Sequence, residues 1–176
     1  LLQYYTAVHD SCQIPVIIQD YPAESGIFMS PEIIAELNSK LSRAHYLKLE
    51  DSPTPPKITR IANLTGDKLG IFGGLGGSFL FEELQRGAIG TMTGFAYPEV
   101  LVAMYDSIKS GNVERARKIF YDWVPYIRYE NQPGIGLAIR KYAMARRGVL
   151  SDATVRPPTP SLDDATVSEL NDILNN

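Results

Sequence analysis

Apolar positions along this chain follow two alternating rhythms. Short runs rich in β-branched and aliphatic residues, Ile14-Pro15-Val16-Ile17-Ile18, His45-Tyr46-Leu47-Lys48-Leu49, Leu69-Gly70-Ile71-Phe72 and Ala88-Ile89-Gly90-Thr91-Met92-Thr93, read as strands, the first with the continuous apolar character of a strand buried on both faces. Between them, apolar residues recur three and four positions apart. Leu1 to Val8 has helical spacing with no capping residue in front, so it reads as a helix entered partway. Ser30-Pro31-Glu32 supplies an N-cap, a proline at the first helical position and an acidic first turn, predicting a helix to about Leu41 with Ile33, Ile34 and Leu37 on one face. Pro55 to Leu64 and Ser78 to Arg86 predict two more helices. Strand and helix taking turns four times predicts an α/β chain with a parallel sheet and right-handed crossovers. From Pro98 onward the pattern is helical only: Glu99 to Lys109, Val113 to Arg128 and Ile135 to Arg147, separated by Ser110-Gly111-Asn112 and Gln132-Pro133-Gly134. Arg156 to Ser161 is proline-rich and extended, and Thr166 to Leu174 closes the chain as a last helix. The expected division is 1–97 for the βα part and 98–176 for the helical part.

Composition narrows the class. With 44% of its 176 residues hydrophobic and 21% charged, the chain can build a core and is not disordered. Seventeen basic against twenty acidic side chains, a net charge of -3, give no electrostatic footprint for nucleic acid or an anionic membrane. No apolar stretch approaches the roughly 18 residues of a bilayer span, so neither nucleic acid nor membrane is expected as a partner. A single cysteine, Cys12, cannot form an internal disulfide, which points to a reducing, cytoplasmic compartment. A closed (β/α)8 barrel usually takes about 200 residues or more, and 176 is short for one.

In parallel α/β architectures the functional groups lie at the C-terminal ends of the strands. The candidates are then Gln19, Asp20 and Tyr21, next Lys48 and Glu50, next the loop Gly73 to Gly77, and last Thr93 to Tyr97. Lys48 interrupts an apolar strand and must face a cleft, where desolvation favours the neutral amine, the nucleophile that condenses with a ketone. The competing reading is that Lys48 reaches the strand end to pair with Glu50 or Asp51. Gly73-Gly74-Leu75-Gly76-Gly77 lacks both the P-loop ending and the dinucleotide-binding spacing, so a tight βα turn explains it better than a phosphate cradle. His9 and His45 fall before strands, at the pole opposite the expected site, and read as structural. No residues have metal-ligand spacing, no serine sits in a nucleophile elbow, and no cofactor is implied. Trp123, Tyr126, Tyr129, Glu130 and Asn131 form an aromatic and polar cluster, either a cover or subunit contact, or ordinary helix packing.

Several of these pieces together resemble the dihydrodipicolinate synthase / N-acetylneuraminate lyase family of class I lyases. Pro15 to Gly26 contains Gln19-Asp20-Tyr21-Pro22, Pro22 lies 26 positions before Lys48 in Tyr46-Leu47-Lys48-Leu49-Glu50-Asp51, and Gly87 to Thr93 matches the family's eighth-strand pattern. The resemblance implies a TIM (β/α)8 barrel of which this chain supplies strands five to eight and the C-terminal helices, the first half being expected to lie outside it. It puts Lys48 on the Schiff-base lysine and implies Gln19, Asp20, Tyr21, Glu50, Gly74 and Thr93 as substrate-binding neighbours. It also implies a small 2-oxo acid as substrate and a homo-oligomer, dimer or tetramer. Two positions depart from the family pattern: Gln19 stands where a proton-relaying tyrosine is usual, and Glu24 where dihydrodipicolinate synthases carry an arginine for the aldehyde substrate's carboxylate. With Lys48-Leu49-Glu50 and Tyr129-Glu130-Asn131, these departures resemble the branch of 2-keto-3-deoxy sugar-acid dehydratases and aldolases. Remaining alternatives are a 4-hydroxy-tetrahydrodipicolinate synthase and a non-catalytic member with a binding or assembly role.

Overall fold

The structure, a computed structural model, describes residues 1–175, and these divide into two compact units. The first comprises 1–75 and 79–92, the second 76–78 and the described residues from 93 onward. The division therefore falls between 92 and 93, ahead of the 97/98 boundary expected from the helical pattern.

Four parallel strands in the order β1-β2-β3-β4 form the first unit's sheet: β1 Ile17–Asp20, β2 Tyr46–Leu49, β3 Gly70–Gly73 and β4 Gly90–Thr91. Around them run α1 Leu2–Ser11, the single-turn α2 Pro22–Ser25, α3 Pro31–Lys40, α4 Thr54–Thr65 and α5 Leu80–Gln85. The N-cap of α3 is the one expected, with Ser30 Oγ accepting from Ile33 N at 3.3 Å, a contact that contributes about 1 kcal/mol. One core cluster joins the sheet to its helices: Ile18, Leu47, Leu49 and Ile71 from the strands meet Ile34, Leu37, Ile58 and Ile61 from α3 and α4.

The strands bury one face rather than two. Burial alternates along β1 and β2, so Ile18, Asp20, Leu47 and Leu49 are enclosed while Ile17 and Tyr46 are 46% and 37% exposed on the opposite face. Within the described residues helices cover only the first of these faces, so the apolar run around Ile17, expected to be buried on both sides, is covered on one by this chain. The same period of two separates the candidate residues: Gln19 and Lys48 lie on the open face, Asp20 on the enclosed one.

The second unit is helical, with α6 Pro98–Lys109, α7 Val113–Glu130, α8 Gly136–Arg146 and α9 Asp164–Asn175. Asn112 caps α7 by accepting from Arg115 N at 3.1 Å. Phe95, Tyr97, Trp123 and Tyr126 pack ring on ring with centroids 4.7 to 6.4 Å apart, mostly edge to face, and the Arg147 guanidinium lies 4.3 Å from the Tyr97 ring. Among the described residues no helix is long and apolar enough to cross a membrane.

Candidate active site

Strand register assembles the first constellation. Gln19 of β1 is the direct partner of Lys48 in β2, so their side chains stand side by side on the open face. Glu50, just past β2 and two residues on from Lys48, completes the group. Its Oε2 receives both Lys48 Nζ, at 2.9 Å, and the Gln19 Nε2 amide, at 2.7 Å. The Lys48 side chain is 24% exposed and that of Glu50 9%. The Leu75 backbone N–H approaches the other oxygen, Oε1, at 3.4 Å. Gly74 makes room for this carboxylate: a Cβ at Gly74 would fall 2.5 Å from Glu50 Cγ and 2.6 Å from its Oε1. Lys48, Glu50, Gln19 and Gly74, four of the residues singled out from sequence, thus meet at one strand end, and the pairing of Lys48 with Glu50 is formed.

Asp20 is held elsewhere. On the enclosed face its side chain is fully buried, and Oδ2 accepts from Lys57 Nζ of α4 at 2.6 Å. The same ammonium reaches Asp51 Oδ2 at 2.6 Å and the Met29 carbonyl at 2.5 Å. Burial raises the Asp20 carboxyl above the ordinary aspartate range, and Lys57 opposes that shift by hydrogen bond and charge. Tyr21 contributes backbone to the same region, its carbonyl capping α2 by accepting from Ser25 N at 3.0 Å. His9 is bound to Asp10 and Ser42, and His45 sits immediately before β2, both at the N-terminal side of the strands.

Thr93 belongs to a second constellation, in the helical unit. Its Oγ1 accepts from Gly76 N at 2.9 Å, and Asn131, just after α7, donates to Ser78 Oγ at 2.6 Å while packing on Gly76, where any Cβ would come within 2.0 Å of its amide oxygen. Beneath this lies Glu130, 2% exposed, whose Oε2 accepts from Ala96 N at 3.0 Å and from the Tyr126 hydroxyl at 2.7 Å, and whose Oε1 accepts from Arg140 Nε at 2.7 Å. Burial, and then the Glu130 charge, push the Tyr126 hydroxyl well above the usual tyrosine range. These bonds tie 94–97 to α7 and α8, which is why the boundary between units precedes that loop. Tyr126 and Glu130 serve packing, the second of the two readings open to that cluster.

Three residues escaped the sequence reading. Lys57 and Thr54 lie on α4, and Glu83 is a fully buried carboxyl on α5, 2.5 Å from the Thr54 hydroxyl. The signal for Glu83 was its place among Leu80, Phe81 and Leu84, an acid on the apolar face of a short helix.

A parallel βα array of four strands with functional side chains gathered at a strand's C-terminal end is the arrangement of half a (β/α)8 barrel. The chain belongs to the Dihydrodipicolinate synthetase family, which it matches over residues 1–176. It is 29% identical over 171 residues to the L-2-keto-3-deoxyarabonate dehydratase of Azospirillum brasilense, covering 97% of this chain and 55% of that protein. To the 4-hydroxy-tetrahydrodipicolinate synthase of Methanothrix thermoacetophila it is 28% identical over 182 residues, covering 99% of this chain and 58% of the relative. The crystal structure of dihydrodipicolinate synthase from Rhodopseudomonas palustris superimposes with a TM-score of 0.92 at 35% identity, over 99% of this chain and 60% of that one. The chain thus spans less than two thirds of these relatives' length, and the expected fold, four βα units of a TIM barrel with C-terminal helices, is borne out.

Proposed function

We propose that Lys48 is the Schiff-base lysine of a lyase acting on a 2-oxo acid, most specifically a 2-keto-3-deoxy sugar acid that is dehydrated or cleaved. The observation that carries this reading is the convergence of Lys48, Gln19, Glu50 and Gly74 at the C-terminal end of β2, where the ammonium stands 2.9 Å from a carboxylate able to move a proton. As the free amine, Lys48 adds to the C2 carbonyl; a proton passes to the oxygen and water leaves, giving a protonated imine. The imine withdraws electrons from C3. Glu50, within hydrogen-bond reach of the nitrogen, then takes a proton from C3 and returns it to the C4 hydroxyl as the enamine expels that group as water; in cleavage, instead, Glu50 takes the proton of the C4 hydroxyl, the C3–C4 bond breaks, an aldehyde leaves, and the enamine takes the proton back at C3. Hydrolysis of the imine returns Lys48. Gln19 fixes the Glu50 carboxylate, and Asp20, through Lys57, fixes the strand end beneath it.

Similarity to the Azospirillum dehydratase supports the sugar-acid reading, as do Gln19 and Glu24 at the two positions that depart from the synthase pattern. Similarity to several 4-hydroxy-tetrahydrodipicolinate synthases supports a second reading, condensation of pyruvate with aspartate semialdehyde. A homo-oligomer and a cytoplasmic location, the latter resting on the lone Cys12, complete the proposal. Borohydride reduction in the presence of pyruvate tests it: the full chain gains mass on Lys48, and a Lys48→Ala chain that gains equal mass refutes the assignment. Product analysis with a 2-keto-3-deoxy acid against aspartate semialdehyde separates the two substrate classes.

A further inference from the structure

Two glutamates approach one glycine pair at the end of β3. Glu50 packs on Gly74, as described above. Glu83 packs on Gly73 so closely that a Cβ there would fall 1.8 Å from its Oε2. Oε1 of Glu83 is held by Thr54 at 2.5 Å, whereas Oε2, fully buried, has no hydrogen-bond partner among the described residues. An ionised carboxylate in that setting has half its acceptor capacity unmet in a medium that does not hydrate it. Gly73 and Gly74 carry no side chains, so only backbone stands at the two places where these carboxyls come in.

We propose that Glu83 is a positioning residue for the Lys48–Glu50 pair, acting across the bare Gly73–Gly74 step through the charge it does or does not carry. The charged groups acting on Glu83 are Glu82 on α5 itself and Glu50 from the end of β2; α4 contributes the neutral Thr54 hydroxyl and β3 the backbone of Gly73. Burial first, then Glu82 and Glu50, push the Glu83 carboxyl up to about 7, against the Thr54 hydrogen bond. Neutral Glu83 leaves Glu50 to its two donors. Once ionised, it sets a second negative charge near the carboxylate that holds Lys48, and the nucleophile's immediate electrostatics change with it.

This inference rests on Lys48 being the imine-forming residue, and the test separates the two. Pyruvate is trapped by cyanoborohydride on the full chain over roughly pH 6 to 8.5, a range that brackets the Glu83 titration. The wild-type rate breaks near neutrality. Glu83→Gln, isosteric and permanently neutral, removes the break while still labelling Lys48. Thr54→Val, which keeps the shape but withdraws the hydrogen bond favouring the ionised form, moves the break upward by roughly half a pH unit to one unit. Superimposable profiles for wild type and Thr54→Val, or a break retained in Glu83→Gln, overturn the positioning role and leave Lys48 as the nucleophile. Equal labelling of a Lys48→Ala chain removes the nucleophile assignment, and the positioning role falls with it.

Discussion

Two lysine ammonium groups lie near strand ends in the first unit, that of Lys48 carried by β2 itself and that of Lys57 reaching in from α4, and their surroundings differ. Lys57, on the enclosed face, spends its three N–H donors on Asp20, Asp51 and the Met29 carbonyl, with its side chain 12% exposed. Lys48, on the open face, meets one carboxylate and is twice as exposed, at 24%. Lys57, with every donor taken, is committed to holding α4 against the ends of the strands. Lys48 has one carboxylate partner and shares its face with Gln19. Number of acceptors and choice of face distinguish the lysine proposed as nucleophile from the one that ties α4 to the strand ends.

Mutation can break this contrast at several strengths. Lys48→Ala abolishes pyruvate trapping while leaving the circular dichroism melt close to wild type, whereas Lys57→Met still forms the trapped adduct. Glu50→Gln retains Gln19's neighbour in shape but loses the base, and turnover falls by roughly 10²–10⁴-fold, measured as single-turnover rates at saturating substrate. Lys57→Met strands the buried Asp20 charge and lowers unfolding free energy by about 3–5 kcal/mol in denaturant titration. Glu83 gives the smallest change, one of slope. Its carboxyl is raised from an ordinary 4.5 to about 7, so between those values the folded chain keeps a proton that the unfolded chain has released. Its contribution is therefore full below about pH 4.5 and declines as pH rises to about 7, by roughly 3 kcal/mol at most. Unfolding free energies at the two ends of that window measure the decline, and Glu83→Gln flattens it.

The sequence made the βα order, the cap at Ser30 and the Lys48–Glu50 pairing legible, since each depends on residues close together in the chain. Strand limits were displaced where the backbone lacks a donor: the run beginning at Ile14 predicts a strand, yet Pro15 has no N–H for the ladder and pairing begins at Ile17. Asp20 reads as a site residue because it ends a strand, and its partner Lys57 lies 37 positions on, beyond any local pattern. Glu83 and Thr54 are likewise 29 positions apart. Distant polar pairing is fixed by how helices seat on the sheet, and no periodicity announces it. Glu130 claims the Ala96 amide from 34 residues away in the same manner.

The clash distance at Gly73 also links two positions that lie on different elements. A Cβ at Gly73 collides with the fully buried Glu83 carboxyl, so a substitution there displaces the acid unless position 83 has already been shortened. Gly73 and Glu83 are therefore energetically coupled although ten positions apart: Gly73→Ala costs more in the chain that keeps the acid than beside Glu83→Ala.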